Sequence, residues 1–297
     1  MFMNSTGARA LIDVLLEQGV DTVFGYPGSA VLDIYDELYK CDKIRHILTC
    51  HEQAAAHAAD GYARATGRTG VVIATSGPGA TNLVTGIATA YMDSSPVVAI
   101  TGNVKTSLLG SDSFQEVDIA GVTMPVTKYS FIASGERGVA QDVREAFSIA
   151  QSGRKGPVLV DIPADIAAQS EEYERAPKSE PARAKEPEEA QLERAAQMIE
   201  KAKRPLIYVG GGAISSGASD ALKTFAQKLH IPVACSMMGL GAYPCSAELF
   251  LGLVGMHGNP AANMAALNCD LLIAAGARFS NRVAASKESF APKAQII

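Results

Sequence analysis

Residues 71–91 read VVIATSGPGATNLVTGIATAY, and this stretch decides the fold. The apolar run VVIAT stops abruptly at Ser76-Gly77-Pro78-Gly79, and a small-residue helical pattern begins at Ala80. A buried parallel strand, a tight turn and a helix start account for that order. Pro78 suits a first helical turn, where its missing N–H is no loss. Gly77 and Gly79 permit unusual dihedrals and the close approach of another molecule. The turn is expected at the carboxyl end of a sheet, where open α/β folds bind ligands. A plain strand-to-helix turn without a ligand fits the stretch alone equally well.

The same alternation continues on both sides. Upstream, residues 4–18 read as an amphipathic helix with Ala8, Leu11, Ile12, Leu15 and Leu16 on one face. Short strands follow at 21–24 and 44–48. Tyr26-Pro27-Gly28-Ser29 opens a helix running to Tyr39, and His51-Glu52-Gln53 opens one that ends at Gly67. Downstream, strands are read at 96–101, around Ser130 and Phe131, and at 157–161. Between them come a Gly-, Ser- and Asp-rich loop leading to Phe114-Gln115-Glu116 and a helix at 139–152. Strands alternating with helices, many of them continuously apolar, predict an α/β fold with a doubly wound parallel sheet.

Composition shifts near residue 168. Residues 170–190, SEEYERAPKSEPARAKEPEEA, are charged, contain Pro and have few apolar side chains, which reads as a linker. A second α/β unit follows: helix 191–202, strand 205–209 ending in Gly210-Gly211-Gly212, helix 218–229 and strand 232–235. Then come Met256-His257-Gly258, helix 260–267 and strand 270–274 before Gly276-Ala277-Arg278. The predicted organisation is a first domain over 1–168, a linker over 169–189 and a second, truncated domain over 190–297. Ala294-Gln295-Ile296-Ile297 reads as the start of another buried strand, so the natural protein is expected to continue.

Composition narrows the function classes. The 297 residues suit two domains of about 150 residues each. A net charge of −5 leaves no nucleic-acid footprint. No apolar run reaches the ~18 residues of a membrane span, and the N-terminus lacks the pattern of a secretion signal. Cys41, Cys50, Cys235, Cys245 and Cys269 form no CxxC pair and read as reduced, mostly buried thiols of a cytoplasmic protein. No metal site is read from them.

Glu52 is the first candidate for chemistry. A carboxylate in a first helical turn also complements the helix dipole. What singles Glu52 out is the layout: strand ends at Tyr26, Glu52 and Gly77 all precede helices and can face one crevice. Ala54, Ala55 and Ala56 give it an apolar setting. In the second unit Gly210-Gly211-Gly212 resembles a dinucleotide turn, but the next strand ends without the acidic residue an NAD ribose needs. Arg278 and Arg282 follow a strand end, where they serve either as phosphate partners or as surface charges. His257 has no nucleophile partner in the sequence. His46, His51, His57 and His230 show no ligand spacing, and Lys128 precedes a strand as a solvated charge would.

Read in order, FGYPGS, HEQAAAHAADGYARATG, ATSGPGATN and SFQEVD resemble the thiamine-diphosphate enzymes. With PVTK, SGRKGPVLVDIP, YVGGGA, SMMGLGAYP, GMHG and GARFSNRV, the chain resembles the catalytic chains of acetolactate (acetohydroxyacid) synthase along almost its whole length. The resemblance implies a first domain that holds the aminopyrimidine ring of thiamine diphosphate, then a Rossmann-like central domain that holds FAD. It implies that Glu52 hydrogen-bonds the pyrimidine nitrogen N1′ and so activates the cofactor, with Gln115 reaching the reacting centre. Tyr26, Pro27, Gly28, Pro78 and Asn82 would line the pyrimidine pocket, and Phe114 and Lys128 would stand near the substrate entrance. Arg154, Gly210, Gly211, Gly212, Ser236, Met237, Met256, His257, Gly276, Arg278 and Arg282 would contact FAD, and Arg282 would also bind the carboxylate of the second substrate.

The implied reaction joins two 2-oxo acids with loss of carbon dioxide, in the biosynthesis of branched-chain amino acids. The implied partners are the 2-oxo acids, a second copy in a homodimer and a regulatory small subunit. Ser29 stands where the family usually has Gly, Ser280-Asn281 replace an acidic pair, and Lys105 replaces a frequent Pro. The family's third domain, with its GDG…NN motif for the diphosphate and Mg²⁺, does not occur in these residues. This chain alone is therefore expected not to catalyse. Glyoxylate carboligase, pyruvate oxidase and a non-catalytic FAD- or nucleotide-binding module remain the alternatives.

Overall fold

A computed structural model describes residues 2–178, 185–284 and 290–297, the side chains of residues 2 and 3 aside. The chain divides into two compact units, Met1–Ala184 and Lys185–Ile297.

The first unit runs β1 (Phe2–Thr6), α1 (Gly7–Glu17), β2 (Thr22–Tyr26), α2 (Leu32–Tyr39), β3 (Arg45–Leu48) and α3 (Glu52–Thr66). It continues with β4 (Gly70–Ala74), α4 (Pro78–Asn82), α5 (Val84–Asp93), β5 (Val97–Asn103), α6 (Ile119–Thr123) and β6 (Tyr129–Ile132). α7 (Val139–Gln151), β7 (Val158–Pro163), α8 (Ala164–Ala168) and β8 (Ser170–Glu174) complete it. Six strands form one parallel sheet in the order β3-β2-β4-β5-β7-β6. Successive strand residues point to opposite faces. Val71, Ile73, Val98, Ile100, Val158 and Val160 therefore join α1, α2 and α7 in one core layer. Val72, Ala74, Val97, Ala99 and Leu159 join α3 and α5 in the other. Burial on both faces explains why the run from Val71 carries no polar alternation.

Close packing fixes α3 against β4. A Cβ added to Gly70 would lie 2.1 Å from the Ala59 carbonyl oxygen on α3. Gly70→Ala is expected to cost about 1–3 kcal/mol of stability, read as a lower denaturant midpoint; an unchanged midpoint would refute this packing.

Two expectations are corrected here. The N-terminal helix starts at Gly7 rather than residue 4, because Phe2–Thr6 pairs antiparallel with Ser170–Glu174. Thr6 then caps α1, its hydroxyl accepting the Arg9 amide at 3.3 Å. The same pairing makes residues 170–174 a strand rather than linker. Tyr173 is buried there and its hydroxyl bonds Asp13. Glu171 accepts the amides of Val139 and Ala140 at 2.7 and 3.0 Å, satisfying the start of α7. Residues 179–184 of the expected linker lie outside the described residues.

Asp161, on β7, is fully buried. It accepts the Thr101 hydroxyl at 2.6 Å and the Asn103 amide at 2.5 Å, both from β5. Burial, partly offset by these bonds, pushes its pKa up to about 7.

The second unit contains α9 (Glu189–Lys201), β9 (Pro205–Val209), α10 (Gly211–Ser215), α11 (Ser219–Leu229), β10 (Val233–Cys235), β11 (Phe250–Leu253), α12 (Pro260–Asn268), β12 (Leu271–Ala275) and β13 (Gln295–Ile296). Its five strands are parallel, in the order β11-β10-β9-β12-β13. Val209, Val233 and Cys235 face α11, while Tyr208, Ala234 and Leu272 face α12. β13 was expected to be buried; it pairs with β12 at the sheet edge, and both its residues are exposed. The cysteines are also corrected: Cys235 and Cys269 are buried, whereas Cys50 and Cys245 are exposed. Among the described residues no helix is long and apolar enough to cross a membrane.

Candidate active site

Three neighbouring strands, β3, β2 and β4, end side by side. After β2 the chain passes into α2, whose Ile34 and Leu38 pack on one face of the sheet. After β4 it passes into α4 and α5, and Leu83 between them packs with Ile87 and Ala90 of α5 on the other. The loops must part between β2 and β4, and the carboxyl ends of these strands therefore open into a crevice at a topological switch point.

Thr75 ties the two loops together. Its hydroxyl accepts the Ala30 amide at 3.2 Å. A Cβ on Gly28 would meet the Thr75 side chain at 2.5 Å, so only glycine admits this approach. Tyr26, just before that turn, is 42% exposed and leaves the crevice open on its β2 side.

Glu52 is the first residue of α3 and is buried. His51 caps the helix through Nδ1, which accepts the Gln53 amide at 3.1 Å. Ala55 and Ala56 are buried along α3 with Glu52, while Ala54 faces outward. The Asn82 side-chain amide donates to Glu52 Oε2 at 2.9 Å. The other oxygen, Oε1, faces Gly79, where an added Cβ would sit 3.3 Å away. The carboxyl thus has one oxygen held by the protein and one turned toward a glycine.

Gly77 adopts φ +57°, open to glycine at little cost. A Cβ there would lie 2.6 Å from the Gln115 carbonyl oxygen and 2.9 Å from its Cα. The loop after β5 therefore returns over the Gly77 turn and lays Gln115 on it. Gln115 itself has φ +57°, and its neighbour Phe114 is 86% exposed.

Thr75 and Tyr35 carry no signal in the sequence and His46 shows no ligand spacing, yet all three belong to this region. The Tyr35 hydroxyl lies 3.2 Å from His46 Nε2, and the rings meet edge to face. Burial, and secondarily the Glu52 charge, raises the Tyr35 hydroxyl above its ordinary range, and burial lowers the His46 imidazole. Their spacing carries no motif; Tyr35 on α2 reaches His46 on β3 only because that helix packs back on the sheet.

Lys128 and Arg154, the other charged candidates of the first unit, each have partners of their own. Lys128 donates to the carbonyls of Ile149 and Ser152 at the end of α7, where a cation complements the helix dipole. Burial lowers its pKa. The Arg154 guanidinium donates to Ser94 Oγ at 2.7 Å and lies over the Tyr91 ring.

In the second unit, four parallel strands end on the remaining candidates. Gly210, Gly211 and Gly212 follow β9, Ser236 and Met237 follow β10, Met256 and His257 follow β11, and Gly276 and Arg278 follow β12. The turns after β9 and β12 touch backbone to backbone: a Cβ on Gly210 would lie 2.4 Å from the Gly276 oxygen. Met237 and Met256 are 61% and 63% exposed at this end. The Arg282 carbonyl accepts the Met256 amide at 2.8 Å, and its guanidinium lies 3.7 Å from the Met256 sulfur.

Residues 5–122 match the thiamine pyrophosphate enzyme N-terminal TPP binding domain, and residues 192–297 match the central domain of the same enzymes. The chain belongs to the thiamine pyrophosphate enzyme family. Within it, the chain is similar to acetolactate synthase large subunits. It is 50% identical over 299 residues to a probable acetolactate synthase large subunit of Methanocaldococcus jannaschii, covering 98% of this chain and 50% of that one. It is 49% identical over 300 residues to the acetolactate synthase large subunit of Parasynechococcus marenigrum (98% and 49% covered). With the acetolactate synthase isozyme 3 large subunit of Escherichia coli, identity is 48% over 297 residues (98% and 52% covered). The chain spans about half the length of the curated relatives it matches.

Proposed function

We propose that these residues form the pyrimidine-holding and central parts of an acetolactate synthase catalytic subunit. The observation that carries this reading is the buried Glu52 carboxyl, with Oε2 held by Asn82 and Oε1 turned toward Gly79 in the switch-point crevice. A Cβ on Gly79 would crowd Thr75 Cγ2 at 2.7 Å and Oε1 at 3.3 Å, so the bare glycine keeps Oε1 open to a flat ring. When bound, thiamine diphosphate supplies the electron sink for decarboxylating a 2-oxo acid. Glu52 then holds and returns a proton at the aminopyrimidine ring, a task for one positioned carboxyl. Asn82 fixes which oxygen does this. Tyr26, Pro27, Gly28 and Pro78 border the ring, and Gln115, laid on Gly77, stands toward the reacting atoms.

The substrates are two pyruvates, or pyruvate and 2-oxobutanoate, on the route to branched-chain amino acids. The glycine turns and exposed methionines at the end of the second sheet suit the flat rings of FAD, with Arg278 and Arg282 as partners for its charged groups or for a substrate carboxylate. Mg²⁺ and the cofactor's diphosphate belong to a further domain. A small regulatory subunit, a reading supported by the name large subunit that the relatives carry, and a second copy of the chain complete the assembly. The compartment is the cytoplasm.

The test is product analysis on the complete enzyme, supplied with pyruvate, thiamine diphosphate, Mg²⁺ and FAD. 2-Acetolactate is expected. Acetate or acetyl phosphate as the main product, or turnover of glyoxylate in preference to pyruvate, would assign a different reaction of the same family. A yellow protein inert with every 2-oxo acid would reduce the chain to a cofactor-binding module.

A further inference from the structure

The loop between β5 and α6 carries Gln115, yet its own shape is unfavourable. Gly110, Asp112 and Gln115 all have positive φ, at +76°, +52° and +57°. Two of these are not glycine, and such residues persist only where surrounding bonds over-determine the backbone. The neighbour of Gln115 supplies those bonds. Glu116 Oε1 accepts the Gly110 amide at 2.6 Å, and Oε2 accepts the Ser113 amide at 3.3 Å. The Glu116 amide in turn donates to the Ser113 carbonyl at 3.0 Å, and Ser113 Oγ donates to the Leu108 carbonyl at 3.2 Å. The amides that point at it, Gly110 first, hold the Glu116 carboxyl below its usual range. At its margins the loop is pinned by Asp165, which accepts Thr106 N and Oγ1 at 2.9 and 2.6 Å, and by Asp118, which accepts the Gly121 amide at 2.8 Å. Between these pins Glu116 is the hub.

We infer that Glu116 is a positioning residue: its carboxylate clamps the backbone amides of Gly110 and Ser113 into one turn and thereby lays Gln115 over Gly77. The inference rests on the role proposed above for Gln115. Glu116 touches neither substrate nor cofactor; it acts through the backbone of its neighbour. An ionised carboxylate suits this task because it only accepts, and charge-assisted bonds to backbone N–H are the stronger kind. Glutamine in its place keeps one acceptor oxygen and presents an NH₂ group to amides that need an acceptor.

The experiment uses the complete holoenzyme with Glu116→Gln, Glu116→Ala, Gln115→Ala and the double variant Gln115→Ala/Glu116→Gln. Amide hydrogen exchange over residues 108–116 is expected to accelerate about tenfold or more in Glu116→Gln, and further in Glu116→Ala, while α3 and β4 keep their protection. The kcat is expected to fall about tenfold with the affinity for thiamine diphosphate nearly unchanged, because the pyrimidine pocket is untouched. In the Gln115→Ala background, Glu116→Gln is expected to add little, since residues acting as one unit are not additive. Unchanged exchange at 108–116, or a full additive loss in the double variant, overturns the inference. A silent Gln115→Ala instead overturns the role given to Gln115, and the exchange measurement still decides whether Glu116 holds the loop.

Discussion

Replacing Glu52 by Gln in the complete enzyme is expected to lower kcat by about a hundredfold or more, ~3 kcal/mol of barrier. The substitution preserves shape. The amide oxygen of the introduced glutamine can take the place of Oε2 and keep accepting from Asn82, and its NH₂ then stands where Oε1 faces Gly79. Packing with Ala55 and Ala56 is unaltered, and His51 still caps α3. What is lost is a group at that spot able to hold and return a proton, whose contribution is typically 10²–10⁴-fold. Thermal stability near that of the parent, with kcat lowered and cofactor still bound, is the expected combination. Activity within about tenfold, ~1.4 kcal/mol, would show that Glu52 is not the proton-handling group.

The stretch from Val71 to Asn82 was legible because each of its signals is local. A continuous apolar run needs two covered faces, and Val71 and Val72 do enter opposite core layers. Pro78 sits at the first turn of α4, and Gly77 takes the positive φ that its residue type allows. Glu52 was legible from its place after a strand, although local features gave no hint of its partner. Asn82 lies thirty residues further on, and the bond exists only because α3 and α4 meet at one end of the sheet.

Where the reading failed, the partners are distant in sequence. SEEYE at residues 170–174 reads as a solvated charge run. In the fold, Glu171 serves the start of α7, Tyr173 is buried beside Asp13, and the strand pairs with Phe2–Thr6. Arg144 closes the same corner by donating from Nε and Nη2 to both oxygens of Glu17 at 2.9–3.0 Å. Composition registers charge but not whether a charge is satisfied. Lys128 illustrates the same limit, since its carbonyl partners at the end of α7 are about twenty residues away. The roles of the glycines in the second unit came from the resemblance. The structure adds that Gly210 is required for the turns after β9 and β12 to touch at all.

The buried Asp161 gives the second large effect, and its direction follows from linkage. Its carboxyl has a folded-state pKa of about 7 against an ordinary 3.8. Between these values the folded chain keeps a proton that the unfolded chain releases. Stability therefore falls as pH rises through this window, and the full penalty stands above about pH 7. Its size is on the order of 4 kcal/mol. Asp161→Asn removes the titration while keeping the site's bonds: the new amide oxygen accepts from Asn103, and its NH₂ donates to the Thr101 hydroxyl oxygen. The variant is expected to gain on the parent as pH rises from about 4 to about 7, and to be the more stable protein at neutral pH by a few kcal/mol. Comparing the two by denaturant titration at each pH cancels the other carboxylates, which titrate alike in both. A stability difference that stays flat across the window would mean that Asp161 is already ionised in the fold at acid pH. The position also matters for the site, because the Asn103 that bonds Asp161 also accepts the Val104 amide at 2.8 Å, at the root of the loop that carries Gln115. A neutral, fully bonded residue at 161 should thus leave that loop in place, and the neutral-pH gain should come without loss of kcat.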